Sequence, residues 1–381
     1  MFSYHLPANV YAGEGALNVL PSLCADYRTA AFFTDRGVLG AHLTEGPIQA
    51  LKDAGLAVHL IGDLPSEPTC DQAQSVLDAC RRLQPDIIIA MGGGSVMDMA
   101  KLASVTPDCV AVRDLLDEPF KAKKILPTVM IPTTAGTGAE ATPNAIVSVP
   151  EKEMKIGIVS LQMIPDSVIL DGSTIRLLPP SIAAATGIDA LCHAIECFTS
   201  NKATPFSDLF ALEALKLIFP NIEKACLDRD AVDAKNAMLL AAFYGGAAIA
   251  CSGTTAVHAL SYPLGGKYRI AHGVSNAMLL LPVMRFNLEA CLPEFARVYD
   301  ALGETCCKTQ KEKAVWLLKR MEDIVARLQI PTDLTSFGVS PQDLDGLVNA
   351  GLQVQRLLQN NRRPVTESDA RNIYKQVLPN A

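Results

Sequence analysis

No cationic excess, no paired cysteine motif and no long apolar run occur in this chain of 381 residues. Lys and Arg total 33 against 40 Asp and Glu, a formal charge of -7 with a pI near 5.4, and that acidic balance argues against a nucleic-acid partner. The eleven Cys are scattered without C-x-x-C spacing, so reduced thiols in the cytoplasm are expected. The amino terminus, MFSYHLPANVYAGEGA, lacks the basic region, apolar core and cleavage site of a secretory signal, and none is expected. The longest near-apolar run, Ala237 to Cys251, is shorter than the roughly 18 to 20 residues that cross a bilayer, and Gly245-Gly246 interrupts it. No membrane segment is expected.

What is present is an ordinary globular composition, 49% hydrophobic and 19% charged. The length exceeds what one hydrophobic core usually serves, so two domains are expected. Up to about residue 178, short β-branched or aromatic runs alternate with helix-like stretches, the pattern of a parallel α/β sheet. Strands are expected at Thr29-Thr34, Ala57-Ile61, Asp86-Met91, Thr128-Ile131 and Ser167-Leu170, and helices at Gly40-Ala54 and Asp71-Leu83. From Pro179-Pro180 onward the character changes to Ala/Leu-rich helical segments: Ile182-Phe198, Pro205-Phe219, Ala231-Ile249, Leu288-Leu302, Glu312-Leu328 and Pro341-Leu358. The expectation is an α/β domain over 1–178 and an all-helical domain over 179–381. FSYHLPANVYAG reads as an edge hairpin, and an unpaired edge invites a partner strand, which favours a homodimer.

Four potential metal ligands fall between Ser181 and Gly273. Asp189 and His193 lie four apart in SIAAATGIDALCHAIECF and share one helix face. Alone, such a pair is often a simple helix contact. His258 occupies a helix-compatible run that Pro263-Leu264-Gly265-Gly266 is expected to break, and His272-Gly273 opens the next apolar run, which can fold two imidazoles back onto the first pair. The chain has six His, and three of them fall in this stretch. Its surroundings are too apolar to leave a carboxylate uncompensated, since buried charge is tolerated mainly when paired or metal-bound. One oxygen and three nitrogen ligands suit a divalent first-row ion such as Fe or Zn.

Two glycine-rich loops follow expected strands. DIIIAMGGGSVMDMAK, residues 86 to 101, runs from an apolar strand through three glycines into a helix whose free N–H groups can receive a phosphate. It is not the G-x-G-x-x-G fingerprint, and a tight packing turn explains it equally well. IPTTAGTGAEATPN, residues 131 to 144, places Thr133, Thr134, Thr137 and Gly138 after another strand. Two such loops at carboxyl ends of neighbouring strands mark the crevice where α/β sheets bind ligands.

GGGSVMDMAK, PTTAGTGAE, the Asp189/His193 helix and HALSYPLGGKYRIAHGVSNAMLLLPVMRFN, in that order, resemble the iron-dependent (group III) alcohol dehydrogenases, and the likeness extends from FFTDRG at 32 to 37 to NNRRPVTESD at 360 to 369. The resemblance implies a dehydroquinate-synthase-like fold, an amino-terminal nucleotide domain, a helical metal domain and an active site between them. It implies a divalent ion on Asp189, His193, His258 and His272, Fe(II) first and Zn(II) second. It implies pyrophosphate on Gly92, Gly93, Gly94 and Ser95, with nicotinamide and ribose contacts from Asp98, Thr133, Thr134, Thr137 and Lys155. Asp35 stands where the family carries the residue facing the adenosine ribose; a carboxylate there accepts a bond from a free 2'-hydroxyl and repels a 2'-phosphate, so NAD is expected over NADP. Where many members carry a second His, four residues after the third ligand, this chain has Tyr262. Two roles are open for Tyr262, a catalytic proton relay and a shaper of the pocket; a phenol is a weak relay near neutrality, which favours the second, although geometry also decides such roles.

The implied activity is hydride transfer between NAD(H) and a small alcohol/aldehyde pair, with no membrane or nucleic-acid partner. The alternatives are a polyol dehydrogenase of the glycerol-dehydrogenase kind, a lyase of the dehydroquinate-synthase kind, and a non-catalytic nucleotide or metal binder. The lyase needs a Lys/Arg cluster for a phosphorylated, carboxylated substrate, and between the last two ligands only Lys267 and Arg269 are cationic. Those two, with Ser252, Thr254 and Thr255, are also the residues that can seat an anionic substrate tail.

Overall fold

The computed structural model describes residues 4–152 and 154–378. It divides into two compact units, one of His5–Leu178 with Arg229–Gly246, the other of Pro179–Asp228 with Ala247 onward and Tyr4. In the first unit the strands are β1 (Asn9–Ala12), β2 (Thr29–Phe33), β3 (Ala57–Ile61), β4 (Ile87–Gly92), β5 (Thr128–Pro132), β6 (Asn144–Val149), β7 (Met154–Val159) and β8 (Ser167–Leu170). Six of them form one parallel sheet in the order β1-β8-β5-β4-β2-β3. β4 and β5 are buried along their whole length, which is why they read as unbroken apolar runs rather than alternating ones. Phe32, Ile87, Ile89, Val129, Ile131 and Ile169 pack the core beside them.

The chain leaves β2 for β3 on one side and returns to β4 on the other. The strand order therefore reverses between β2 and β4, and their carboxyl ends flank the position where open parallel sheets bind ligands. Two helices start there: α1 (Arg36–Gly40) after β2, and, beyond α2 (Glu45–Asp53) and α3 (Cys70–Leu83), α4 (Gly94–Val105) after β4.

The second unit contains α5 (Pro180–Thr199), α6 (Pro205–Leu227), the end of α7 (Val232–Ser252), α8 (Ala256–Tyr268), α9 (His272–Asn287), α10 (Leu292–Ala301), α11 (Gln310–Arg327), α12 (Leu344–Leu352), α13 (Gln355–Leu358) and α14 (Glu367–Lys375). No strand occurs among its described residues. α5 and α7 are long and apolar enough to cross a membrane by length and composition, but 83% and 61% of those windows lie buried inside the protein. They are core helices here, as the buried Asp189, His193 and Glu196 of α5 also require.

The five expected strands are present, yet several details differ. FSYHLPANVYAG is not a hairpin: β1 is a single strand pairing in parallel with β8, and Gly13 and Gly15, at φ 122° and 77°, turn the chain into a short 3-10 helix instead of a return strand. Met1–Ser3 lie outside the described residues. An unforeseen antiparallel hairpin, β6 with β7, follows the second glycine loop. Gly40-Ala54 is not one helix: Gly40 ends α1 and α2 starts only at Glu45, with His42 at φ 57° between them. Leu288-Leu302 and Pro341-Leu358 are likewise each interrupted, at Cys291 and at Gln353-Val354. Pro263 and Gly265-Gly266 do not break α8; its flanks Val257, Ala259, Leu260 and Leu264 are fully buried, and packing outweighs the one backbone bond a proline removes. A single boundary near 178 also leaves out the first part of α7, which belongs with the sheet unit. There Gly172 N donates to Asn236 Oδ1 at 2.6 Å. Gly138, at φ 59°, lies so close to the helix that a Cβ would stand 2.6 Å from the Ala242 carbonyl oxygen.

Candidate metal centre and nucleotide cradle

α5 forms because an Ala/Ile/Leu-rich segment follows Pro180 at its first turn. Its buried face carries Asp189, His193 and, one turn further, Glu196. α8 and α9 both pack against α5. Gly273 makes the approach of α9 possible, since a Cβ there would meet the Ala185 carbonyl oxygen at 2.5 Å. His258 from α8 and His272 from the start of α9 thereby join the first pair, and one ligand atom from each of the four residues lies within 4.8 Å of the others. From Asp189 Oδ1 the Nε2 atoms of His193, His258 and His272 stand at 3.8, 3.6 and 3.8 Å. The rings of His193 and His258 stack at 4.6 Å between centroids. Asp189, His193 and His258 are buried, whereas the His272 side chain is 34% exposed and marks the open side.

The donor set fits a divalent cation on two counts. Asn276 Nδ2 lies 2.7 Å from Asp189 Oδ1, 3.1 Å from His258 Nε2 and 3.2 Å from His272 Nε2. One amide nitrogen with two hydrogens is crowded by three converging atoms, a carboxylate oxygen and two ring nitrogens, and the buried Asn276 Oδ1 has no partner among the described residues. The second count is charge. Burial opposes ionisation of Asp189, but His193, His272 and His258 outweigh it and hold the carboxyl far below its ordinary range. Burial likewise opposes charging of His258, yet Glu196 and Asp189 raise its pKa to about 9. The centre attracts positive charge, which a cation supplies in place of protons.

Sequence reasoning missed Glu196 and Asn276. Both had a signal: Glu196 is the second carboxylate of an otherwise apolar helix, seven residues after Asp189, and Asn276 lies four after His272. The Tyr262 ring centroid is 6.2 Å from that of His272. Burial raises the Tyr262 pKa and Arg356 offsets only part of the rise, so the group is a neutral phenol near pH 7. Lys267 is engaged by Asp343 at 2.9 Å, and Arg269 is an exposed residue capping α8 at φ 55°. Ser252 Oγ donates to the Ala248 carbonyl at 3.2 Å and Thr255 Oγ1 to Glu196 Oε1 at 2.6 Å, while Thr254 is buried with its carbonyl bonded to Asn360. Both hydroxyls thus have partners within the protein rather than a free donor for an anionic tail.

In the sheet unit, Gly93 caps α4 in an extended conformation. The first turn is tight, since a Cβ on Gly92 would fall 2.5 Å from Val96, and the two loops pack on each other: a Cβ on Gly94 would fall 2.9 Å from Thr137, and Thr133 N donates to the Gly92 carbonyl at 3.0 Å. A Cβ on Gly93 would meet only Thr134, at 3.5 Å. The first N–H groups of α4 and the loop Thr133–Gly138 therefore share one end of the sheet. Asp35, at the end of β2, caps α1 by accepting from Val38 N through Oδ1 at 2.9 Å. Ser95 Oγ accepts from Glu67 N at 3.1 Å, and Lys155 pairs with Glu67 at 2.6 Å. Asp98 is mostly internal: Oδ1 pairs with the fully buried Lys101 at 2.9 Å and Oδ2 accepts from Ile146 N at 2.9 Å, so it ties α4 to β6.

Two family models match the chain, iron-containing alcohol dehydrogenase over residues 7–172 and the carboxyl-terminal part of the same family over 183–378. The chain is 34% identical to long-chain-alcohol dehydrogenase 1 of Geobacillus thermodenitrificans, over 90% of this chain and 87% of that protein. It is 29% identical to the NAD-dependent methanol dehydrogenase of Bacillus methanolicus, over 99% and 100%. Among solved structures, sulfoacetaldehyde reductase from Bifidobacterium kashiwanohense in complex with NAD+ superposes with a TM-score of 0.89 at 25% identity, covering all of both chains.

Proposed function

The chain belongs to the iron-containing alcohol dehydrogenase family, and from that premise we propose that it is a metal-dependent enzyme interconverting a small alcohol and its aldehyde with NAD(H). The observation that carries the reading is the convergence of Asp189, His193, His258 and His272 on one point. Fe(II) is the ion we assign, with Zn(II) as the alternative. A divalent ion there supplies Lewis acidity toward the substrate oxygen while the nicotinamide takes or gives hydride. The chain's part is position and charge. Asp189 and the three imidazoles would hold the cation, the cluster is exposed on the side of His272, and Tyr262 bounds the space beside it as a neutral phenol. Gly92, Gly93, Gly94 and Ser95 leave the first turn of α4 open to pyrophosphate, and Thr133, Thr134 and Thr137 offer hydroxyls from the neighbouring loop. Asp35 receives the ribose hydroxyls, which favours NAD. Asp98 and Lys155 serve the coenzyme chiefly through the framework they brace.

A dehydroquinate-synthase-like lyase is disfavoured because Lys267, one of two cations near the centre in sequence, is tied to Asp343. The polyol dehydrogenase alternative differs only in substrate. The open edge of β1 supports a homodimer, and the acidic, thiol-rich composition supports a cytoplasmic setting. NADH absorbance across a panel of small alcohols, polyols and aldehydes, with and without added Fe(II) or Zn(II), tests the proposal. Metal-stimulated turnover of an alcohol/aldehyde pair is expected; turnover unaffected by metal, or none across the panel, would reject it.

A further inference from the structure

Glu196 is completely buried, and among the described residues no Lys or Arg forms an ion pair with it. A buried carboxylate needs compensation, and here it comes from four donors on one short stretch. Oε1 accepts from Thr255 N at 3.0 Å, Thr255 Oγ1 at 2.6 Å and Val257 N at 2.8 Å. With Oε1 so occupied, Oε2 is held against Nδ1 of His258. A neutral imidazole has one N–H and one lone pair. A carboxylate at Nδ1 can only accept, so it keeps the hydrogen there and leaves the lone pair on Nε2, the atom that stands 3.6 Å from Asp189 Oδ1 within the four-residue cluster. The carboxylate also makes the opposite nitrogen a stronger donor.

We infer that Glu196 is a positioning residue that sets the His258 tautomer and ring orientation, and through them the affinity of the centre for its divalent ion. The inference rests on the reading of the four residues as a metal centre. The competing role is a plain staple, in which Glu196 only fastens α5 to the segment Thr255–Val257 that starts α8.

Two substitutions separate these roles. Glu196→Gln keeps an oxygen for Thr255 and Val257 but turns an amide N–H₂ toward Nδ1, which drives the imidazole hydrogen to Nε2 and blocks it as a ligand. Thr255→Val removes one staple bond and leaves the His258 contact alone. Full-length protein is stripped with a chelator, its melting temperature recorded, and Zn(II) affinity measured by competition with a chromophoric chelator. Glu196→Gln is expected to weaken Zn(II) binding by roughly 10- to 100-fold, the usual effect of losing such an outer partner, while the metal-free protein melts near wild type. Thr255→Val is expected to lower the melting temperature and leave affinity within about twofold of wild type. Wild-type affinity in Glu196→Gln, or an equal affinity loss in Thr255→Val, would overturn the inference. Glu196→Asp, which draws the charge back by one methylene, serves the same comparison should the Gln variant not fold. A His258→Ala control that binds Zn(II) as tightly as wild type would instead defeat the metal reading on which the inference stands.

Discussion

Replacing Asp35 with Asn removes one negative charge from the end of β2 while leaving the cap of α1 in place. Asn and Asp are equally good N-cap residues, and the bond from Val38 N at 2.9 Å needs only a carbonyl-type oxygen. Among the described residues no other hydrogen bond engages Oδ2, so the second oxygen is free to face a ligand. A bond from a ribose hydroxyl to a carboxylate is worth roughly 1.5–3 kcal/mol, against roughly 0.5–1.5 kcal/mol for a neutral partner. The loss on NAD is thus about 1–1.5 kcal/mol, close to tenfold. Relief of repulsion toward a 2'-phosphate adds a further factor for NADP, modest because Asp35 is partly exposed to solvent. The ratio of kcat/KM for NADP over NAD is expected to rise about 10- to 100-fold, with the melting temperature unchanged. Steady-state kinetics with each coenzyme at one fixed alcohol measures the ratio. An unchanged ratio in a normally folded variant would show that Asp35 is a helix cap and nothing more.

His258→Ala and His272→Ala should each give folded protein that is metal-poor and at least about 100-fold less active, checked by metal content, circular dichroism and turnover. Gly93→Ala introduces a methyl group that meets only Thr134 at 3.5 Å, so stability should hold while the KM for NAD rises; an unaltered KM would remove this turn from the coenzyme site. Glu140 is buried with one oxygen unpartnered among the described residues, and burial pushes its pKa up to about 7 from 4.5. Because the fold holds this proton more tightly than the unfolded chain does, the contribution of Glu140 to stability is fully present below about pH 4.5 and is lost as pH rises through about 7, by at most about 3 kcal/mol. Thermal melts of Glu140→Gln should therefore match wild type near pH 5 and exceed it at pH 8, and parallel profiles would refute the assignment.

The features legible in the sequence were those with a period or a scarce residue type. β4 and β5 announced themselves as unbroken apolar runs, and Asp189 and His193 as a polar pair in an apolar helix. The β6/β7 hairpin was hidden because β6 follows directly on the glycine- and threonine-rich loop and is joined to β7 by the 3-10 turn Pro150–Lys152, so neither strand, though six residues long, stands out from its surroundings. α8 was misjudged because proline and glycine signal breaks locally, while its continuity is decided by burial that only the folded chain displays. Glu196 was overlooked for a related reason: its partners, Thr255, Val257 and His258, lie about 60 residues away. The same distance explains the cations. Lys267 looked available beside a ligand histidine, but its partner Asp343 is 76 residues further along.

The metal centre is tested by X-ray absorption at the metal edge of the protein reconstituted with one equivalent of Zn(II). A first shell of nitrogen and oxygen scatterers alone is expected, at about 2.0–2.2 Å, with the outer-shell signature of three imidazoles that drops to two in His272→Ala. A sulfur shell near 2.3 Å, or a spectrum indifferent to the loss of His272, would contradict it.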